Sequence, residues 1–283
     1  DYAKDLKIRS KVPEISHEHR SNAKATLMGV EVAMNSLGHR SAKLPNPKAR
    51  NERRIHVLGS SITLGWGVKV EEGFVSRVEQ RLNREKGASN GHRYIAINAG
   101  IGNYNTFYEV ELFKRQGDAT DPDVVVLQYY INDAEPNPKG ANNPVLKYSL
   151  FAAFVYQHFK TLMVVSTKSL AEHYGDLYRK NAPDWERAKA SIRELKAITD
   201  KRGIRLVVLL VPELHDLSSD GPYPPIYDKI GAALRNMEID MINPLSRFQT
   251  TFSDDPSKAW AAPNDPPPNA TAHKVIADAL YEY

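Results

Sequence analysis

From residue 54 onward, short apolar runs alternate with segments of helical periodicity. The apolar runs predict strands at Arg54–Gly59, Tyr94–Asn98, Asp123–Tyr130, Arg205–Val211 and Ile239–Ile242. The intervening patterns predict helices over Glu72–Leu82, Tyr108–Gln116, Pro183–Lys201, Pro225–Met237 and Ala270–Tyr281. Strands that alternate with helices form a parallel sheet with helices on both faces. We therefore predict a three-layer α/β/α fold with a flavodoxin-like, doubly wound parallel sheet.

The first 53 residues do not follow this alternation. Residues 1–30 are polar and mixed, without a clean period, and residues 41–53 combine prolines with many charges, which is typical of a linker. We interpret 1–53 as an N-terminal arm and linker that packs on the main domain, 54–283. A further apolar and aromatic segment, Leu146–Val165, predicts a helix. It fits a core helix, a wall for an apolar substrate, or a surface near a membrane.

Composition argues against several classes of protein. Hydrophobic residues make up 41% of the 283 positions, which is enough for a sizeable core, and the net charge is only +4. No Lys/Arg block is interleaved with aromatic residues, which argues against a nucleic-acid partner. The most basic stretch, residues 35–54, is interpreted as a solvated connector. No run of about 18 apolar residues predicts a membrane span.

The side chains of metal and redox centres are missing or scattered. The absence of cysteine excludes disulfides, Cys-ligated zinc and a thiol nucleophile. His, Asp and Glu form no cluster with the spacing of metal ligands, so no metal and no other cofactor is expected. The sequence starts at Asp1 without Met, which is compatible with earlier removal of a signal peptide or membrane anchor.

Polar or glycine residues follow three of the predicted strands, at the edge where doubly wound sheets bind ligands. In Gly59–Val68 (GSSITLGWGV), Ser61 stands at a turn into a helix and suits a nucleophile; helix capping is the alternative. Asn98–Asn105 (NAGIGNYN) offers glycine N–H groups to a ligand, or makes an ordinary turn. Tyr130–Asp133 (YIND) offers the Asn132 amide to an oxyanion, or makes an Asn-Asp turn.

Together, these segments resemble the signature blocks of the SGNH (GDSL-like) hydrolases in order and spacing. The G-D-S of that family is Gly59-Ser60-Ser61 here, followed by T-x-G-x-G-V at Thr63–Val68. The second and third blocks correspond to INAG at Ile97–Gly100 and to IND, which contains Asn132. Met34–Arg40 (MNSLGHR) also resembles the N-S-x-G-x-R leader of one bacterial branch. The resemblance covers roughly residues 30–283.

The resemblance implies a role for each matching residue. Ser61 would be the nucleophile, and its N–H, the Gly100 N–H and the Asn132 side chain would form the oxyanion hole. The implied reaction is acyl transfer to Ser61, followed by hydrolysis or by transfer to another hydroxyl. The implied partner is an acylated small molecule, glycan or lipid. Relatives with this leader often carry a membrane anchor ahead of it, which implies a location outside the cytoplasm, such as the periplasm.

The sequence departs from the family where the catalytic base should be. The family reads D-x-x-H-P-N before the last helix, and the matching segment is NDPPPN, 264–269. Asn264 therefore stands at the Asp position and Pro267 at the His position, while Ser60 replaces the Asp of the first block. Proline has no proton-accepting side chain, and a neutral Asn does not stabilise an imidazolium by charge.

A displaced base would have to come from another residue. His215, beside Asp216, follows the predicted strand Arg205–Val211 and so lies at the correct edge; a polar loop is the alternative. His273 lies six residues past Pro267, about 9 Å along a helix, which favours a helix-face or surface position. Asp133 and Asp265 are further candidates, as weak carboxylate bases.

Two functions remain open at this point. The first is an esterase or acyltransferase that acts on an O-acyl group of a glycan or lipid-linked substrate, with a displaced base or much reduced activity. The second is an inactive SGNH pseudoenzyme that acts as a binding or scaffolding module. Loss of a base costs on the order of 10⁴- to 10⁶-fold in kcat, so the identity of the base decides between them.

Overall fold

A computed structural model of the chain describes residues 2–136, 169–262 and 265–283. The helix predicted at Leu146–Val165 lies outside these residues, as do Asn264 and the side chain of Asp265.

The N-terminal arm contains more regular structure than its sequence pattern indicates. A short helix, α1 (Tyr2–Asp5), precedes two antiparallel hairpins, whose strands are β1 (Lys7–Arg9), β2 (His17–His19), β3 (Lys24–Leu27) and β4 (Val30–Ala33). Strands of three or four residues are too short to show a period of two. The arm has its own apolar cluster, which includes one residue from the main domain: Leu6, Leu27, Val32, Met34 and Leu64.

Five parallel strands form the main sheet. They are β5 (Glu52–Gly59), β6 (Arg93–Gly100), β7 (Val124–Tyr129), β8 (Arg205–Leu210) and β9 (Asp240–Ile242). Their spatial order is β6-β5-β7-β8-β9, and every pair of neighbours is parallel. This is the flavodoxin-like order, in which the first strand lies between the second and the third. The predicted three-layer, doubly wound fold is confirmed.

Helices cover both faces of the sheet. Their bounds are α2 (Ser61–Leu64), α3 (Phe74–Leu82), α4 (Ala88–Asn90), α5 (Thr106–Thr120), α6 (Leu170–Leu177), α7 (Pro183–Lys201), α8 (Pro224–Arg235), α9 (Leu245–Thr251) and α10 (Ala270–Glu282). Short 3₁₀ turns span Val70–Glu72, Ile131–Ala134 and Pro256–Ala259, and a π turn spans Asn83–Gly87. Between α9 and α10, β10 (Trp260–Ala262) and β11 (Asp265–Pro268) form an antiparallel hairpin.

The sheet separates two apolar cores. Successive strand residues enter opposite cores because side chains alternate along a strand, so Val125 and Val208 lie on one face and Val126 and Val207 on the other. The first core is closed by α5, α7 and α8, and the second by α3, α9 and α10. Continuous apolar runs such as VVVL in β7 are therefore expected, since both faces of each strand are buried.

The basic stretch, residues 35–54, is a solvated connector only in its middle part: residues 41–51 are exposed or half-buried, whereas basic residues at both ends are buried. His39, Arg40 and Arg54 are buried, and the Arg54 guanidinium contacts Glu52 Oε1 at 2.7 Å, the Thr120 carbonyl at 2.9 Å and the Pro45 carbonyl at 2.5 Å. Backbone carbonyls satisfy the donors of a buried guanidinium as well as water does. Charge density alone did not reveal this use of Arg.

Candidate active site

Ser61 is the first residue of α2, directly past the carboxyl end of β5. Ser60 occupies the N-cap position, but its side chain makes no capping hydrogen bond. The N–H groups of the first helical turn have no partner within the helix, so a hydroxyl and backbone donors stand together here. The N–H groups of Gly65 and Trp66 donate to the Ser61 carbonyl at 3.1 Å each, which fixes the serine backbone. Ser61 is half-buried.

Gly100 lies beside this helix at the end of β6, opposite Gly59 of β5. A Cβ on Gly100 would come within 2.2 Å of the Leu64 nitrogen, so only glycine allows this approach. The Gly100 N–H donates to Asn98 Oδ1 at 3.1 Å, and Asn98 Nδ2 donates to the Thr63 carbonyl at 2.7 Å. Asn98 thus links β6 to α2. Its side-chain oxygen also accepts the Gly100 N–H, which is the group that the family resemblance implies for the oxyanion hole.

Asn132 lies in the 3₁₀ turn that follows β7 and is half-buried. The next residue, Asp133, is buried, and its Oδ2 accepts the Tyr130 N–H at 2.8 Å. Glu109 of α5 faces it, and within the described residues neither Glu109 oxygen has a hydrogen-bond donor. Burial raises the pKa of both carboxyls, and the charge of Asp133 raises the pKa of Glu109 further. The buried carboxyls of Asp133 and Glu109 therefore form an acidic pair next to the Asn132 turn. The sequence did not reveal this pair.

His215 lies past β8, at the same edge of the sheet. Its Nδ1 contacts Glu213 Oε1 at 2.5 Å, and the hydroxyl of Tyr130 donates to Glu213 Oε2 at 2.5 Å. The Glu213 side chain is 1% exposed, whereas that of His215 is 41% exposed. Asp216, the carboxylate that the sequence places beside His215, accepts instead from the N–H and hydroxyl of Ser218. The carboxylate partner of His215 is therefore Glu213 and not Asp216.

His273 lies inside α10, and the structure does not bring it to this edge as an available base. Its side chain is fully buried, and its Nδ1 accepts the Phe74 N–H at 3.2 Å. Its ring stacks on that of Phe74, with 5.9 Å between centroids. Burial lowers the pKa of His273 to about 3. This histidine joins α3 to α10.

The hairpin of β10 and β11 carries the segment where the family keeps its base. Trp260 pairs with Pro268 across it. Pro267 is half-buried and, as expected from the sequence, presents no proton acceptor.

The N-terminal arm contacts the turn that follows β6. The Tyr2 hydroxyl accepts the Gly102 N–H at 2.7 Å, and the Tyr2 ring meets the Trp66 ring edge-on at 5.3 Å between centroids. Lys7 Nζ donates to Asn103 Oδ1 at 2.8 Å. Asn103 adopts a left-handed backbone with φ 69°. The arm therefore lies along one side of the candidate site, and burial lowers the pKa of Lys7 to about 8.

Metal ligation has no evident place in the described ranges, where no three His, Cys, Asp or Glu side chains are grouped to hold an ion. Among the helices described, none combines the length and apolar character needed to cross a bilayer.

Comparison with known proteins rests on structure, not on sequence. No model of a known protein family matches the sequence, and no curated protein matches it significantly. Solved structures do match. LAE5, an alpha/beta hydrolase from the metagenome of Lake Arreo, aligns over 81% of this chain and 94% of its own with 14% identity and a TM-score of 0.51. The chain has the fold of these hydrolases.

Two esterases share that fold. A mutant of Axe2, the acetyl-xylooligosaccharide esterase of Geobacillus stearmophilus, aligns over 81% of this chain and 93% of its own, with 15% identity and a TM-score of 0.51. CEX, a two-domain esterase active on acetylated mannans, matches 82% of this chain with 15% identity and a TM-score of 0.50, over 48% of its own length. These similarities establish the architecture; roles of individual residues follow from the local geometry.

Proposed function

We propose that this chain is an SGNH-type serine acyl hydrolase or acyltransferase in which Ser61 is the nucleophile. One observation carries the proposal: Ser61, Asn132 and His215 follow the carboxyl ends of β5, β7 and β8, which are neighbours in the sheet. Neighbouring strands are about 4.8 Å apart and β7 lies between β5 and β8, so these residues follow strand ends that span about 10 Å of one edge of the sheet. A hydroxyl, an amide and an imidazole are the set of groups that acyl transfer requires.

The developing oxyanion would be bound by the Ser61 N–H and the Asn132 amide. The helix start supplies the first donor in a fixed position, and the 3₁₀ turn held by Asp133 supplies the second. Gly100, the third donor implied by the resemblance, joins them only when Asn98 releases its N–H. We therefore propose that Ser61 and Asn132 carry most of the oxyanion stabilisation. Removal of one such donor typically costs 10²- to 10³-fold in kcat.

The proposed substrate is an O-acyl ester on a glycan or lipid-linked molecule. Axe2 is described as an acetyl-xylooligosaccharide esterase and CEX as active on acetylated mannans. An acetyl ester of a carbohydrate is therefore the first substrate class to test. Transfer of the acyl group to a second hydroxyl would use the same Ser61 intermediate, with an alcohol in place of water.

Labelling with a fluorophosphonate, combined with turnover of p-nitrophenyl acetate, tests the proposal. Wild-type protein should label at Ser61 and hydrolyse the ester, and Ser61→Ala should lose both. Ser253→Ala, which changes an exposed serine after α9, should keep both. Equal turnover by wild type and Ser61→Ala would contradict the proposal.

The second candidate function is a pseudoenzyme that binds an acylated molecule without cleaving it. The observation in its favour is Pro267 at the position of the family's base. The double variant Asn264→Asp, Pro267→His separates the alternatives. If wild type is inert and this variant gains esterase activity that depends on Ser61, the native chain is a pseudoenzyme with an otherwise competent pocket. If wild type already turns over, the pseudoenzyme function is excluded.

A further inference from the structure

The two ring nitrogens of His215 have the donor and acceptor roles that a catalytic base requires. A carboxylate only accepts hydrogen bonds, so the contact of 2.5 Å to Glu213 Oε1 places the imidazole proton on Nδ1. The other ring nitrogen, Nε2, is then a proton acceptor on a side chain that is 41% exposed. In serine hydrolases, a buried carboxylate on Nδ1 holds the base in this tautomer and stabilises the imidazolium that forms.

The carboxylate that orients His215 is itself firmly held. Besides Tyr130 on Oε2, the backbone N–H of Glu213 donates to the Tyr227 hydroxyl at 2.7 Å. The His215 N–H donates back to Glu213 Oε1 at 3.2 Å, which closes a local turn. Because Tyr130 directly follows β7 and Tyr227 lies on α8, the pair is anchored to two elements of the main domain.

The β10–β11 hairpin connects His215 with the Ser61 helix. The His215 ring meets the Trp260 ring at 5.2 Å between centroids, and Trp260 Nε1 donates to the Leu214 carbonyl at 3.0 Å. The next residue, Ala261, lies on the loop that follows α2: a Cβ on Gly67 would be 3.2 Å from the Ala261 Cβ. The imidazole therefore contacts the same short hairpin that packs on the loop after α2 and that carries Pro267.

From this arrangement we infer that the catalytic base has moved from the C-terminal hairpin to the loop after β8, where His215, positioned by Glu213, acts on Ser61. The inference rests on the proposed function. It assigns catalysis to a residue outside the D-x-x-H segment and explains why Pro267 is compatible with activity.

The proposed proton path is balanced in both halves of the reaction. His215 Nε2 accepts the Ser61 hydroxyl proton as Oγ bonds to the acyl carbon, and it returns that proton to the departing alcohol when the C–O ester bond breaks. Water then attacks the acyl-Ser61 ester, again giving a proton to Nε2, which passes it to Ser61 Oγ as the acid leaves. The net change is ester plus water to acid plus alcohol.

Four variants of the full chain test this assignment with p-nitrophenyl acetate: His215→Ala, His215→Gln, Glu213→Gln and, as control, His92→Ala. His92 is a half-buried histidine that directly precedes β6, at the amino ends of the strands, whereas His215 lies at their carboxyl ends. We expect both His215 variants to lose about 10⁴- to 10⁶-fold in kcat with little change in KM, as for loss of the base of a serine hydrolase. Glu213→Gln should lose less, and His92→Ala should match wild type.

Chemical rescue distinguishes a base from a merely structural residue. After subtraction of the imidazole-catalysed hydrolysis measured without protein, free imidazole should accelerate His215→Ala, where it can occupy the vacated space, but neither Ser61→Ala nor wild type. Thermal unfolding of each variant checks the fold, and His215→Gln keeps a side chain of similar length if the alanine variant is unstable. Wild-type kcat in both His215 variants, or loss of activity without rescue by imidazole, would overturn the inference.

The outcomes for the base and for the serine are separable. If Ser61→Ala is inactive and unlabelled while the His215 variants remain fully active, the base lies elsewhere and the serine hydrolase stands. If wild type neither labels nor turns over, the proposed function fails and this inference fails with it.

Discussion

At the scale of single residues, close backbone packing at Gly100 helps to position the helix that begins at Ser61. Gly100 lies so close to the backbone nitrogen of Leu64 that an added methyl group would overlap it. Asn98 then uses both ends of its amide to hold Gly100 and Thr63. The position of the Ser61 helix therefore depends on the close packing of Gly100 and on the hydrogen bonds of Asn98.

Gly100→Ala should lower the free energy of unfolding by about 3 kcal/mol, the upper part of the range for overpacking, because the new methyl meets backbone atoms, which cannot rotate away. Urea denaturation measures the change. Gly175→Ala is the matched control: it lies in α6 with no atom within 4 Å of the new Cβ, and alanine in a helix gains about 0.5–1 kcal/mol. Equal stability of the two variants would contradict the close packing of β6 on α2.

The buried pair of Glu109 and Asp133 gives a prediction about pH. Burial raises the pKa of Glu109 in the folded state, so the folded protein keeps a proton that the unfolded chain releases above about pH 4.3. This contribution to stability is complete below that pH and is lost as the pH rises through the folded pKa.

Glu109→Gln keeps the shape of the side chain and removes its titration. Relative to wild type, the variant should gain stability between about pH 5 and 7, and the difference should shrink at about pH 4. Unfolding midpoints across this range measure it. A difference that stays constant with pH would show that Glu109 does not hold a proton in the fold.

At the scale of elements, one arginine binds the loop that follows α2. The Arg40 guanidinium is buried and donates to the carbonyls of Leu64, Gly65 and Val68, at 3.0, 2.8 and 3.0 Å, and to that of Glu31 at 3.2 Å. These oxygens belong to the end of α2, to its following turn and to the arm. The N-S-x-G-x-R segment is thus a structural clamp on the Ser61 helix.

Arg40→Met should cost about 3 kcal/mol or more, because it leaves several buried carbonyls without donors, at about 1–3 kcal/mol each. It should also lower kcat while KM changes less, because the helix that begins at Ser61 loses its hydrogen bonds from Arg40. Denaturation and steady-state kinetics measure both. Arg84→Met, at a side chain that is 69% exposed, should change stability by less than about 0.5 kcal/mol. Similar behaviour of the two variants would show that Arg40 is not a clamp.

Apolar runs and helical periods predicted the central elements well, because both cores are built from them. The sequence patterns at β5 to β9 and at α3, α5, α7, α8 and α10 fall within a few residues of the observed bounds. The hairpins of the arm were missed because their strands are too short to show a period.

The site was less predictable than the fold, because its contacts join distant elements. Ser61 and Asn132 follow strands, as their positions in the sequence suggest. The sequence suggests the adjacent Asp216 as the partner of His215, whereas in the structure the partner is the Glu213 carboxylate, two residues before the histidine. The spacing Glu-x-His after a buried strand was the available signal. No sequence signal marks Tyr130 or Tyr227 as its supports.

At the scale of the whole molecule, buried neutral histidines make the free energy of unfolding depend on pH below neutrality. Burial lowers the pKa of His19, His39 and His273 to about 3, 4 and 3. Each unfolded histidine takes up a proton below about pH 6.5, while the folded protein does not. The stability they contribute is present above that pH and is lost as the pH falls toward the folded values.

The free energy of unfolding should therefore fall between pH 6.5 and 5, by up to about 1.4 kcal/mol per pH unit for each such histidine. Urea denaturation at several pH values measures this slope. His273→Gln should be less stable at pH 7, because the packing on Phe74 is lost, yet its slope should be shallower. An unchanged slope would mean that His273 titrates alike in both states.

The two ends of the described chain leave the body at opposite edges of the sheet. Tyr2 is fixed against Gly102, beside the candidate site. Tyr283 pairs with Arg205 and Asp240, the first residues of β8 and β9, at the amino-end edge. A bulky fusion partner joined ahead of Tyr2 would thus stand at the rim of the candidate site and compete with large ligands for space. A surface tether after Tyr283 would hold the protein with the candidate site facing the solution, which makes that end the one to use for immobilised assays.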